Sequence, residues 1–255
     1  MSITIAVAGK GGTGKTTFCG MLIDWLCKNG KGPVLAVDAD ANSNLNEVLD
    51  VEVETTLGEI RELVAHAERD EGVIPPGMSK QDFVEYKFSS ALIEEDDFDM
   101  LVMGHTQGKG CYCYVNGLLQ TEIQKLEGGY NYMVVDNEAG MEHISRGILP
   151  SIDYLVLVSD CSRRGIQAVA RIAELAREME LKPRKVALIV NRAPGGILND
   201  GTREEIEKQG LELIGVIPQD DTVFEYDSFG KPTAYLPESS GAKKAVNGIA
   251  EKLLT

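Results

Sequence analysis

Residues 3–17 read ITIAVAGKGGTGKTT. An apolar run, Ile3–Ala8, breaks into glycines and then meets GxxxxGK[ST] at Gly9, Gly14, Lys15 and Thr16. The glycines of such a loop let successive backbone N–H groups turn inward around phosphates. In that pattern Lys15 reaches the β- and γ-phosphates of a nucleoside triphosphate and Thr16 holds Mg²⁺, with Gly11, Gly12, Thr13 and Thr17 completing the cradle. The residues from Thr16 to Cys27 have helical spacing, so a positive helix end also faces the anion. A strand, a phosphate loop and a helix in that order predict a P-loop NTPase fold.

The rest of the chain fits that start. Short apolar runs recur at Val34–Val37, Met100–Met103, Tyr132–Val135, Tyr154–Val158, Val186–Val190 and Leu213–Ile217. They are continuous rather than alternating, which suits strands buried on both faces of a parallel sheet. The intervening stretches Val115–Leu126, Ile166–Glu180 and Ala242–Leu254 carry apolar residues at three-to-four spacing. The expectation is an α/β fold over residues 1–255 as one domain, with a mostly parallel sheet of seven or more strands and helices on both faces. Residues 50–98 are less regular, with Pro75, Pro76 and the acidic run EEDDFD. They predict a mostly helical insertion on the rim, the acidic run being a solvated face.

The 255 residues carry 25 basic and 40 acidic side chains, a formal charge of −15. So acidic a surface repels nucleic acid and anionic lipid, and neither is expected as a partner. No apolar run approaches the roughly 20 residues of a membrane helix, and the N-terminus lacks the pattern of a signal peptide. Five cysteines, Cys19, Cys27, Cys111, Cys113 and Cys161, are an odd number. They suit reduced thiols in a cytoplasmic protein better than a disulfide framework.

The loop has an extra lysine, Lys10, in KGGTGKT. Here the sequence resembles the MinD/ArsA/nitrogenase-iron-protein group of dimeric P-loop ATPases, which share this deviant loop. The resemblance implies that Lys10 reaches across a nucleotide-sandwich homodimer to the partner's phosphates, as an arginine finger does in trans. It implies further roles at matching positions. In VDADANSN, Asp38 ends the second strand as one of the Mg²⁺ and switch residues, and Asp40 positions the attacking water. In VVDNEAGMEH, Asp136 is the carboxylate on the Mg²⁺ side, and Ala139-Gly140 lets the following loop sense the γ-phosphate. Asn191, ending VALIVNR, reads adenine, and the turn Ile217-Pro218-Gln219-Asp220 closes over the base.

A second motif lies at GKGCYCYVN, residues 108–116. In an extended loop, residues two apart lie roughly 6.5 Å from each other and point the same way. The Cys111 and Cys113 sulfurs can therefore converge on one ion at about 2.3 Å. One pair offers two thiolates, and a two-fold axis through the loop would offer four. Four thiolates suit Zn²⁺, Cu⁺, an iron–sulfur cluster or square-planar Ni²⁺. Lys109 and the amides of Gly108 and Gly110 would offset their charge. His105 is a further possible ligand. Cys19 and Cys27 read as residues of the first helix, and no role is assigned to Cys161.

Taken together, KGGTGKTT, VDADANSNL, the mid-chain CYC and DNEAGMEHISRG resemble the CooC-type nickel-insertion ATPases, with the related AcsF proteins. These mature carbon monoxide dehydrogenase and acetyl-CoA synthase. The resemblance spans almost the whole chain. It implies a homodimer, formed on ATP or metal binding, that holds Ni²⁺ (or Zn²⁺ at the same site) between two CxC motifs and uses ATP to deliver it to such a nickel enzyme. Two other expectations compete. One is a MinD-like membrane-positioning ATPase, which would need a basic amphipathic tail beyond SGAKKAVNGIAEKLLT. The other is an iron–sulfur or electron-transfer ATPase like the nitrogenase iron protein.

Overall fold

The computed structural model describes residues 2–40, 42, 44–67, 74–105, 113–137 and 151–255. Eight strands form one sheet: β1 (Ile3–Ala8), β2 (Val34–Ala39), β3 (Ile93–Glu94), β4 (Asp99–Val102), β5 (Tyr132–Asn137), β6 (Tyr154–Ser159), β7 (Lys185–Ala193) and β8 (Leu213–Pro218). Their spatial order is β3-β4-β2-β5-β1-β6-β7-β8. Every neighbouring pair is parallel except β3 with β4. All seven apolar runs are strands. β3 is the one addition, a two-residue antiparallel edge that no apolar run announces.

The described helices are α1 (Lys15–Lys28), α2 (Leu45–Leu49), α3 (Leu57–Ala67), α4 (Lys80–Ser89), α5 (Cys113–Glu127), α6 (Arg163–Glu178), α7 (Asp200–Gln209), α8 (Asp221–Ser228) and α9 (Gly241–Leu253). The side chains of the strands alternate between two cores. Ala6, Ala8, Leu35 and Val37 face one layer, in which α3 to α7 pack. Ile5, Val7, Val34 and Ala36 face the other, with α1, α2 and α9. Burial on both faces is why these strands read as continuous apolar runs.

Where described, residues 50–98 contain the helices α3 and α4, separated by irregular chain, and both helices pack on the sheet. Leu57, Ile60 and Val64 of α3 and Phe83 and Phe88 of α4 are buried in the sheet-facing core. The helices carry their own start signals. At α4, Ser79 and Asp82 form a reciprocal capping box. At α6, the Ser162 hydroxyl accepts from the Gly165 amide at 2.9 Å. The acidic run is solvated at Glu94, Glu95, Asp96 and Asp97, whereas Phe98 is buried and Asp99 accepts from the Tyr130 hydroxyl.

A buried ion pair ties the far ends of the chain together. Lys243 of α9 is 1% exposed and donates to Asp24 of α1 and, at 2.7 Å, to the Ala234 carbonyl. Lys28 also pairs with Asp24, at 3.1 Å. Removing one partner strands a charge without solvent, which costs about 3–5 kcal/mol. Asp24→Leu is expected to lose about that much stability in urea denaturation, and Asp24→Leu with Lys243→Met is expected to regain most of it.

Candidate functional site

The phosphate loop sits at the carboxyl edge of the sheet, where β1 hands over to α1. Two glycines there have no substitute. A side chain on Gly9 would meet the Val158 carbonyl of β6 at 2.2 Å. Gly14 has φ 90 and would meet the Asn191 amide at 2.3 Å. Between them, the Thr13 hydroxyl donates to the Lys10 carbonyl at 2.9 Å and closes the turn.

The amino end of α1 is open to an anion. Gly14 is its N-cap, no side chain caps it, and its first turn contains no acid. The first amides of such a helix lack intrahelical partners and carry partial positive charge. Lys15 is 6% exposed, beneath the loop, whereas Lys10, Gly11 and Gly12 face solvent. Thr16 and Thr17 are half-buried on the first turn.

Two carboxylates lie at the same sheet edge, and one of them, Asp136, feels the Lys15 ammonium. Asp38 and Asp136 are register partners on β2 and β5, and both are buried. Burial pushes Asp38 up to about 7, with Asp136 adding repulsion. Its Oδ1 accepts from the Asp40 amide at 3.0 Å and its Oδ2 from the Leu45 amide at 3.0 Å, which shapes the turn after β2. Burial also raises Asp136, to about 6, against the opposing pull of the Thr16 hydroxyl and the Lys15 ammonium. One Asp136 oxygen, Oδ1, is buried with no hydrogen-bond partner among the described residues. A divalent cation or its bound water would satisfy that atom, so these residues fit Mg²⁺. Asp40 is half-buried at the same edge, and its Oδ1 accepts from the Asn42 amide at 2.9 Å.

A pocket of about 540 Å³ opens between α1 and the β8–α8 turn, within the range of small-ligand sites. Gly14, Thr17, Asn191, Pro218, Gln219 and Asp220 all line it, together with Phe224, which is 74% exposed. Six of the predicted nucleotide residues thus line one pocket. Two of them also work within the protein. The Asn191 amide donates to the Thr13 carbonyl at 2.8 Å and so braces the loop. Its Oδ1 accepts from Arg192, whose φ is 56. The Asp220 carboxylate accepts from the Thr222 amide (2.9 Å), the Ser240 hydroxyl (2.7 Å) and the Ala242 amide (3.0 Å). It joins the starts of α8 and α9.

Residues that sequence reasoning placed elsewhere also reach this site. Cys19 is fully buried against Asp136, and burial together with that carboxylate pushes its thiol up. Asn137 follows Asp136 and donates to the Val7 carbonyl at 3.1 Å, and its Oδ1 has no partner among the described residues. Its position next to Asp136 at a strand end was the only available signal. Cys27 donates to the Asp97 carbonyl and Cys161 to the Asn191 carbonyl.

Lys109, Gly108, Gly110, Cys111, Ala139 and Gly140 lie outside the described residues. The chain enters the cysteine segment from this same edge. Val102 pairs with Asp38 across β4 and β2, and the Met103 amide donates to the Asp38 carbonyl at 2.8 Å. The Met103 carbonyl then accepts from Gly58 at 2.8 Å, and His105 is exposed just beyond it. Cys113 is the first residue of α5.

The CobQ/CobB/MinD/ParA nucleotide binding domain model matches residues 4–233. An uncharacterized ATP-binding protein of Methanocaldococcus jannaschii is 43% identical over 253 residues, 98% of each chain. The carbon monoxide dehydrogenase accessory protein CooC of Rhodospirillum rubrum is 29% identical over 240 residues, 89% of this chain and 87% of that one. Among solved structures, the septum site-determining protein MinD complexed with Mg-ADP from Pyrococcus horikoshii matches with TM-score 0.72. It is 23% identical, over 99% of this chain and 96% of that one, a likeness of fold alone.

Partial burial works against charge on Asp220, but its three hydrogen bonds outweigh that and hold it at about 2. A lowered acid stabilises the fold above the ordinary carboxyl value of about 4, and that contribution fades as pH falls through about 2. Asp220→Ala should cost about 1–3 kcal/mol near neutral pH, because two helix starts lose their cap. The gap in thermal stability from the unmodified chain should narrow as pH falls from about 4 towards 2.

Proposed function

The chain belongs to the CobQ/CobB/MinD/ParA nucleotide-binding domain family, and from that premise we propose that it is an ATP-dependent nickel-delivery ATPase acting as a homodimer. The observation that carries the nucleotide half is the grouping of buried Lys15, the uncapped start of α1, and the Asp38–Asp136 pair at one sheet edge. The nickel half rests on the sequence Cys111-Tyr112-Cys113. The segment that carries it leaves the sheet directly beside Asp38. Overall similarity to a carbon monoxide dehydrogenase accessory protein adds support.

In this reading the loop amides and the first turn of α1 receive the phosphates, and Lys15 neutralises the β- and γ-oxygens. Adenosine occupies the pocket between Gly14, Asn191 and Pro218–Asp220. Thr16 and Asp136 would hold Mg²⁺, which would supply charge neutralisation at the phosphates. Asp40 orients water towards the γ-phosphorus, and cleavage yields ADP and phosphate. Lys10, free to extend into solvent, reaches the nucleotide of the partner copy. Gly140, past the end of β5, lets its segment respond to the γ-phosphate.

Nickel is the cargo. Cys111 and Cys113 of each copy would supply four thiolates, and their protonation would release metal at low pH. The client in this reading is acetyl-CoA synthase or carbon monoxide dehydrogenase. The described helices contain no span long and apolar enough to cross a membrane. The apolar stripe of α9, Val246, Ile249 and Leu253, is buried on the sheet, so this helix is not a membrane-binding tail.

Nickel titration under reducing, anaerobic conditions tests the cargo. Cys111→Ser with Cys113→Ser should abolish stoichiometric nickel binding, and a double variant that binds nickel as before would remove the assignment. Steady-state phosphate release tests the lysine. Lys10→Ala should lower turnover by about 10³-fold, the scale of a trans-acting cation, without loss of thermal stability.

A further inference from the structure

Strand β7 breaks its alternation just where it reaches the 540 Å³ pocket. Ala187 and Ile189 face the layer of α1, α2 and α9, and Leu188 and Val190 face the opposite layer. An unbroken strand would send Arg192 to the Val190 side and Ala193 to the other. Instead Ala193 packs on the Val190 side. Against β8 the register steps from Val190↔Val216 to Ala193↔Pro218, so β7 advances three residues against two. A bulge of this kind bends a strand and re-aims a side chain. Here it turns Asn191 and Arg192 together towards α1, and both line the pocket with Gly14, Phe18 and Met21.

The bulge strains the backbone. Arg192 has φ 56, a left-handed conformation that side chains other than glycine disfavour. The Asn191 side chain holds it there, its Oδ1 accepting from the Arg192 amide at 2.8 Å. Arg192 is exposed. Among the described residues its guanidinium is in no ion pair, although Asp221 and Asp227 line the same pocket. Strain kept at such a position points to a ligand rather than to the fold. A second exposed side chain of the lining, Phe224 of α8, offers a flat apolar face. The polar groups of the pocket are largely spent. Both Asp220 oxygens accept from within the protein, and Asn191 has its oxygen and one N–H engaged. Flat surfaces are therefore the main means left to hold a base.

We propose that Arg192 and Phe224 clamp the base of the nucleotide by stacking, with the guanidinium plane on one side and the phenyl ring on the other. Guanidinium planes and aromatic rings both stack on bases. The bulge at Asn191 and Arg192 is then the device that brings the guanidinium into the pocket, and Asn191 is its positioning residue. The inference rests on the nucleotide reading of the pocket, and it adds the side chains that hold the base as distinct from the phosphates.

Calorimetric titration of the full chain with Mg-ADP and, separately, with Mg-pyrophosphate tests the clamp, because pyrophosphate carries the phosphates without the base. Arg192→Gly and Phe224→Ala should each weaken Mg-ADP binding about tenfold and leave pyrophosphate binding unchanged. Phe224→Tyr keeps the ring and should bind Mg-ADP as the unmodified chain does. Arg192→Lys keeps the charge but loses the plane, and should bind as weakly as Arg192→Gly. Arg192→Gly should also raise the melting temperature, because glycine relaxes a φ of 56; lost affinity in that variant is then not lost folding. Phe229→Ala, equally exposed but outside the pocket lining, should leave both affinities unchanged. Unchanged Mg-ADP affinity in either Arg192→Gly or Phe224→Ala, or equal weakening of Mg-ADP and pyrophosphate, would overturn the clamp while the nucleotide reading stands. Absence of Mg-ADP binding by the unmodified chain would overturn both.

Discussion

The structure turns on burying one lysine and two aspartates at the ends of three adjacent parallel strands. Parallel β1, β2 and β5 deliver Lys15, Asp38 and Asp136 to one edge because each strand feeds its next element in the same direction. Burial disfavours charge on both carboxylates, and on Asp38 the neighbouring Asp136 adds repulsion. The chain relieves this with backbone amides on Asp38 and with the Thr16 hydroxyl and Lys15 on Asp136. What it leaves unsatisfied, the Asp136 Oδ1 atom, is where added positive charge is most favoured.

That constraint organises the surroundings. The uncapped start of α1 attracts an anion, and the aspartates favour a cation next to it. A magnesium nucleotide carries both. On one flank the Asn191 brace and the Asp220 caps fix the walls of the pocket before any ligand arrives. The Asp38 strand also holds the start of the segment leading to Cys111 and Cys113.

Much of this was legible in the sequence because it is local. The P-loop is a contiguous motif, and strands buried on both faces leave unbroken apolar runs. Asp38 and Asp136 were visible as the acids that end such runs. The remainder depends on contacts between distant residues. β3 has two residues and no pattern of its own. The segment 50–98 read as irregular, yet Leu57, Ile60 and Phe88 reach the core through α3 and α4. Cys19 looked like any helix residue until the α1–β5 packing set it against Asp136. Asn191 and Asp220 were assigned to a base, and no motif reveals that they also brace the loop and cap two helices. An atom such as Asp136 Oδ1, without a partner among the described residues, emerges only once the fold has buried it.

The most direct measurement of the central claim is native mass spectrometry of the reduced chain with Ni²⁺ and a non-hydrolysable Mg-ATP analogue. A nucleotide-closed site shared by two CxC motifs predicts a dimer carrying two nucleotides and one nickel. A monomer with its own nickel, or a dimer that takes up no nickel, would contradict it.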